Sequence, residues 1–280
     1  MPDPSTLMSN PVCKTSARAL TGVLALWLLA ALLPLPAPGA VGHACEEVAC
    51  QEASIVARRV VLDTAEGRVE GDLYLPSVAE DLRGGAILAH GFLRPRTTMQ
   101  NHARALAARG IVALVPSLPY KTDPAGNARA LRELAGQLRQ GRFAPAVAGV
   151  VLIGFSAGAL AAVLAAPGLP GLSGLIALDP FDRRSQPGRE SAGHVAAPTL
   201  VMRAPPAACN GYGSASSWAA TLPRLDRDIL IPRATHCDFE APTTLACRLA
   251  CFGTDDARRA VIRETLLEAV GRYLPTRGGR

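Results

Sequence analysis

Apolar residues in this chain come in short unbroken runs, each set off from the next by a longer polar stretch with helical spacing. The runs are Gly85-Ala86-Ile87-Leu88-Ala89, Ile111-Val112-Ala113-Leu114-Val115-Pro116, Val150-Val151-Leu152-Ile153, Gly174-Leu175-Ile176-Ala177-Leu178, Pro198-Thr199-Leu200-Val201-Met202 and Asp228-Ile229-Leu230-Ile231-Pro232. Continuous runs of this length, rich in β-branched residues and bounded by Gly and Pro, predict strands buried on both faces. Between them, apolar spacing predicts helices near 98–109, 125–140 and 159–166, with a closing helix over 256–273. Upstream, Arg58–Asp63 and Arg68–Pro76 flank Ala65-Glu66-Gly67, and the second alternates polar with apolar residues, as a half-exposed antiparallel hairpin does. Strands alternating with helices imply right-handed crossovers, so the expectation is an α/β fold. Its mostly parallel sheet has about eight strands, helices on both faces and no large cap domain.

One junction organises the rest. Gly154-Phe155-Ser156-Ala157-Gly158 stands where an apolar strand passes into an Ala/Leu-rich helix. A serine forced into a sharp strand-to-helix turn needs neighbours without a Cβ, because two backbones pass close beside it. Ser156 is therefore the candidate nucleophile, its hydroxyl held above the sheet edge.

Composition changes the picture at the N-terminus. Lys14 and Arg18 precede an uncharged run from Ala19 to Leu33, followed by Pro34, Pro36, Pro38, Gly39 and Ala40. The run is short for a membrane span and ends like a cleavage region, so residues 1–44 are expected to be a signal peptide and 45–280 the folded domain. That makes the protein secreted or periplasmic, with membrane contact at most through an uncleaved N-terminal segment. Cys13 leaves with the signal. Cys45, Cys50, Cys209, Cys237, Cys247 and Cys251 remain as an even set suited to disulfides, and their spacing suggests no zinc site. The net charge of +6 is spread as scattered arginine pairs and gives no nucleic-acid stripe.

A serine hydroxyl needs a base, and histidine is the usual one near neutral pH. His43 lies at the processing site, His102 on a helix face read as polar, His194 in a Gly/Arg-rich loop, and His90 at a strand end where it shapes the loop. His236, after the last strand, is the candidate base, and it completes the chain order Ser…Asp…His. For the orienting carboxylate, the segment after the next-to-last strand, Met202 to Asn210, holds no acid. The preceding strand end supplies Asp179, with Asp182 in reserve and Asp238 set aside as too near His236 in the chain. The backbone N–H groups of Phe92 and Ala157 are the candidate oxyanion donors.

These features, Gly154-Phe155-Ser156-Ala157-Gly158 with His90-Gly91-Phe92 and a late histidine, resemble the α/β-hydrolase superfamily over residues 56 to 275. Three segments, His90-Gly91-Phe92, Leu106 to Pro116 and Leu178-Asp179-Pro180, resemble chlorophyllases and platelet-activating-factor acetylhydrolases more narrowly. That resemblance implies an acid on the strand directly after the elbow helix, and ester hydrolysis through an acyl-enzyme. The polyester-degrading hydrolases place their acid one strand later. The substrate-facing loops share no pattern with any of these families, so neither chlorophyll nor a phospholipid is implied.

Only Phe181 to Ala197 separates Asp179 from the next strand, too little for a cap, so the pocket should be open. The loop Cys209 to Trp218 offers Tyr212 and Trp218 as candidate substrate contacts, and a bridge from Cys237 to Cys209 would tie the histidine loop against it. The expectation is a secreted serine hydrolase for a small or lipid-like ester, with no metal or cofactor and no nucleic-acid partner. A peptidase or amidase on the same three residues, or a silent binding protein of this fold, are the alternatives.

Overall fold

The computed structural model describes residues 55–77 and 82–274. The proposed signal segment, the domain boundary at 44/45, Cys45 and Cys50 lie outside them. Eight strands form one sheet in the order β1-β2-β4-β3-β5-β6-β7-β8. β1 (Ile55–Thr64) and β2 (Gly67–Pro76) make the antiparallel hairpin at one edge, and β2 also runs antiparallel to β4 (Ile111–Pro116). From β4 onward, through β3 (Gly84–Ala89), β5 (Val150–Phe155), β6 (Leu172–Leu178), β7 (Thr199–Arg203) and β8 (Leu225–Leu230), every pairing is parallel. The sheet is thus eight-stranded and mostly parallel, as the alternation of strand and helix patterns implied.

The uninterrupted apolar runs have a direct cause. Successive strand side chains point to opposite faces, and both faces are covered. In β5, Val150 and Leu152 join the apolar layer under α2 (Pro124–Arg139) and α3 (Ala157–Ala165), which contribute Leu131, Leu134 and Leu160. Val151, Ile153 and Phe155 face the opposite layer, under α1 (Gln100–Ala107) and α6 (Asp256–Tyr273), which contribute Leu106, Ile262, Leu266 and Val270. β8 departs from expectation. It is an edge strand that begins at Leu225, three residues before the apolar run, overlaps that run from Asp228 to Leu230, and has four of its six residues exposed.

Helix starts follow capping rules. Asp123 accepts from the Ala125 N–H with Pro124 in the first turn, and Asp255 accepts from the Arg258 N–H. Two short helices were not legible in the pattern: α4 (Pro187–Ala192), in the β6–β7 connection, and α5 (Leu245–Ala250), after β8. Neither forms a cap domain. Among the described residues no helix is long and apolar enough to cross a membrane.

Candidate active site

Ser156 occupies the turn between β5 and α3 with φ 55° and ψ −120°, a conformation that side-chain-bearing residues rarely adopt. The flanking glycines are sterically required. A Cβ on Gly154 would lie 2.4 Å from Ala159 Cα, and one on Gly158 would lie 2.4 Å from the carbonyl oxygens of Ala89 and His90. The turn is fixed from outside as well: the Ser156 N–H donates to the Leu178 carbonyl (3.0 Å), and the Ser156 carbonyl accepts from the Phe181 N–H (3.3 Å). Elbow and acid-bearing strand end are therefore positioned as one unit.

His236 Nε2 stands 3.0 Å from Ser156 Oγ, and its Nδ1 stands 2.6 Å from Asp179 Oδ2. The structure brings these three residues into one hydrogen-bonded succession. All three are buried: Ser156 is 8% exposed, His236 7% and Asp179 1%. The imidazole also lies against the Phe155 ring, centroids 4.6 Å apart. With Nδ1–H donated to the carboxylate, Nε2 is left with its lone pair toward the hydroxyl.

Asp179, at φ 37°, is held by more than the histidine. Its Oδ1 accepts from the Ala204 N–H (2.8 Å), and Asn210 Nδ2 approaches both carboxylate oxygens at 3.3 and 3.4 Å. Asn210 is itself locked, its Oδ1 accepting from the Ala207 and Gly213 N–H groups. The segment that lacks an acid thus supplies an amide that braces one. Nothing in the sequence singled Asn210 out except its standing in that segment.

The reserve carboxylates are both spoken for. Asp182 accepts from the N–H groups of Arg183, Gly188 and Arg189 and from Trp218 Nε1 (2.7 Å), so it starts α4 and anchors the indole. Asp238 accepts from the Thr235 and Asp255 N–H groups and from Arg258 Nε, which holds the turn carrying His236 to the start of α6.

Loops frame the site. His90 Nδ1 bonds the Gly91 carbonyl (2.9 Å) and Nε2 accepts from the Leu118 N–H (3.0 Å), an arrangement that fits a neutral ring; burial holds its pKa below the ordinary value. Arg94 continues this loop. Its Nε faces buried Glu240 Oε1 at 3.2 Å and its Nη1 donates to Thr244 Oγ1. Burial, the largest influence, raises the Glu240 pKa against the opposing hydrogen bond from Thr243 and the charge of Arg94. The N–H groups of Phe92 and Ala157 make no hydrogen bond to any described residue. Both residues line a cavity of about 350 Å³ beside Ser156, with Leu160 and Phe181 on its apolar wall and Lys121 and Arg183 at its edge.

Three expectations need correction. Trp218 does not meet substrate: it is 1% exposed, part of the core below α4, and tied to Asp182. Tyr212 is 75% exposed and does not line the cavity, because the αL turn at Gly211 and Tyr212 carries it outward. His102 is buried, not on a polar face, with Nε2 bonded to the Phe239 carbonyl. The disulfides also differ in partner. Cys237 pairs with Cys247 and Cys209 with Cys251, so the histidine loop and the Cys209 loop are each tied to α5 and not to one another. The sulfurs of Cys237, Cys247 and Cys251 cluster within 4.8 Å, but in two disulfides they are not metal ligands.

No family profile matches the chain, and no curated protein matches it either. Solved structures do. A dienelactone hydrolase from Anabaena variabilis superposes with a TM-score of 0.63 at 20% identity, covering 79% of this chain and 100% of its own. The esterase domain of a Rhodothermus marinus protein gives 0.60 at 18% identity, with the same coverage of 79% and 100%.

Proposed function

We propose that this chain, which has the α/β-hydrolase fold, is a serine hydrolase that cleaves carboxylic esters through an acyl-enzyme. The observation that carries the proposal is the succession Ser156 Oγ, His236 Nε2, His236 Nδ1, Asp179 Oδ2, at 3.0 and 2.6 Å, beside the cavity. Ser156 attacks the ester carbonyl as Nε2 takes its proton. Asp179 keeps the other nitrogen protonated and stabilises the imidazolium. The Phe92 and Ala157 N–H groups, without a described partner, are free to hold the oxyanion, the latter at the start of α3. The imidazolium then protonates the departing alcohol, and a water activated by the same nitrogen releases the acid.

The acid on the strand directly after the elbow helix also supports the narrower likeness to chlorophyllases and platelet-activating-factor acetylhydrolases. Export is part of the proposal. Two disulfides among the described residues suit an oxidising compartment, consistent with the signal-like N-terminus.

A fluorophosphonate probe tests the core of this reading. The folded protein should be labelled and Ser156→Ala should not. Ser156→Ala should also lower kcat on p-nitrophenyl esters by about 10³-fold or more, as loss of a triad nucleophile does. A folded protein that takes no label would sink the proposal.

A further inference from the structure

The segment that carries α5 is built unlike the rest of the fold. Of Leu245-Ala246-Cys247-Arg248-Leu249-Ala250-Cys251-Phe252, only the two cysteines face inward. Leu245 is 62% exposed, Leu249 75% and Phe252 89%. A helix of six residues has no stability of its own, and here its apolar side chains do not fasten it to the core. Two disulfides do, Cys247 to Cys237 and Cys251 to Cys209. The leucines and the phenylalanine are therefore not needed for folding, yet three large apolar side chains stand exposed within eight residues, a concentration of the kind that marks an interaction site.

Its location is specific. Cys237 adjoins His236, Cys209 lines the cavity beside Ser156, and the Arg94–Thr244 hydrogen bond brings Leu93, 65% exposed, to the start of α5. The apolar surface thus borders the mouth of the candidate active site. Its own charge is cationic, and the next acids along the chain, Asp255 and Asp256, face Arg258 and Arg259. Residues 241–253 contain no acid, Arg248 is exposed and in no ion pair among the described residues, Lys121 and Arg183 are exposed at the cavity edge, and no carboxylate lines that cavity.

We propose that Leu93, Leu245, Leu249 and Phe252, with Arg248 beside them, form a docking surface for an anionic lipid bilayer that seats the mouth of the cavity on the membrane. Apolar side chains inserted at the headgroup boundary, with cations beside them, suit that surface. Pairing with a second copy suits it less, since a two-fold contact through α5 would bring the Arg248 side chains of both copies together. The sequence pattern confined membrane contact to the N-terminal segment. α5 adds a second, independent site.

Co-sedimentation with vesicles tests this without any turnover, so its failure leaves the serine-hydrolase reading untouched. The purified chain should partition onto vesicles of equal parts phosphatidylglycerol and phosphatidylcholine, and more weakly onto phosphatidylcholine alone. In the same background, with the N-terminal run common to both proteins, Leu249→Ser with Phe252→Ser should lower partitioning about ten- to a hundredfold. Arg248→Gln should lower it about fivefold, on the anionic vesicles only. Both sites are exposed, so thermal unfolding should be unchanged. Equal partitioning of the double variant and the parent protein would overturn the proposal. So would a dimer, seen by sedimentation equilibrium, that the double variant abolishes.

Discussion

Two buried aspartates three residues apart, Asp179 and Asp182, hold opposite kinds of partner, and the same conservative change should separate them. In Asp179→Asn the amide can place its oxygen toward the Ala204 N–H and its NH₂ toward His236 Nδ1. Nδ1 then becomes the acceptor, the proton moves to Nε2, and the nitrogen facing Ser156 can no longer take a proton. Loss of a triad carboxylate in this way lowers kcat by about 10³- to 10⁴-fold, roughly 4 to 5.5 kcal/mol of transition-state stabilisation. Stability should change little, by about 1 kcal/mol, because most of the hydrogen bonds survive in neutral form. In Asp182→Asn one of two acceptor oxygens becomes a donor facing N–H groups. Oδ1 serves Arg183 and Gly188, and Oδ2 serves Arg189 and Trp218, so either orientation orphans two donors, one of them buried and one partly buried. At about 1 to 3 kcal/mol each, the loss is roughly 2 to 6 kcal/mol, a large share of a domain's stability. The folded fraction should keep kcat within about threefold of the parent. Trp218→Phe, which removes one of these bonds, is the milder companion. Denaturant unfolding and p-nitrophenyl ester kinetics on the same samples decide the matter. Full activity in Asp179→Asn, or a stable Asp182→Asn protein without activity, would refute the assignment.

Two further outcomes follow from other parts of the fold. His102 is fully buried, its Nδ1 has no partner among the described residues, and desolvation, the largest influence, pushes its pKa down to about 4. The unfolded imidazole takes up its proton near pH 6.5 and the folded one only near 4, so between those values the unfolded state binds more protons. The stability that neutral His102 contributes is therefore fully present above about pH 6.5 and lost as pH falls toward 4, by up to about 3 kcal/mol. His102→Gln keeps a donor for the Phe239 carbonyl and should flatten this part of the stability–pH curve in urea titrations; an unchanged slope would count against it. Removing the disulfides by paired Cys→Ser changes should cost about 4 kcal/mol for Cys209–Cys251, which closes a separation of 42 residues, and about 3 kcal/mol for Cys237–Cys247, which closes 10. Only the second adjoins His236, so kcat should fall more there; equal kcat in both variants would contradict that.

Much of the architecture was legible in the chain because parallel strands covered on both faces are written as continuous apolar runs. β4 spans Ile111 to Pro116 and α6 spans Asp256 to Tyr273, where the pattern put them. β8 starts three residues ahead of its apolar run, because exposed positions at a sheet edge, such as Asp226 and Asp228, can be polar and leave no apolar signal. α4 and α5 left no pattern, since one is set by the carboxylate of Asp182 six and seven residues upstream and the other by two disulfides, interactions that apolar spacing does not encode. His102 looked polar and Trp218 looked available for the same reason. A residue's type does not say which side of a loop or helix it will face.

By itself the sequence determined which residues had the right chemistry at strand ends: a serine between glycines, an acid after β6 and a histidine after β8. Strand direction in a parallel sheet is enough to put such ends on one rim. Only the tertiary structure decided which aspartate faces the imidazole, that Asn210 braces it, and that an apolar surface on α5 stands beside the cavity. Those outcomes depend on side-chain direction and on where loops cross, which hydrogen bonds and disulfides between distant residues fix and local pattern does not.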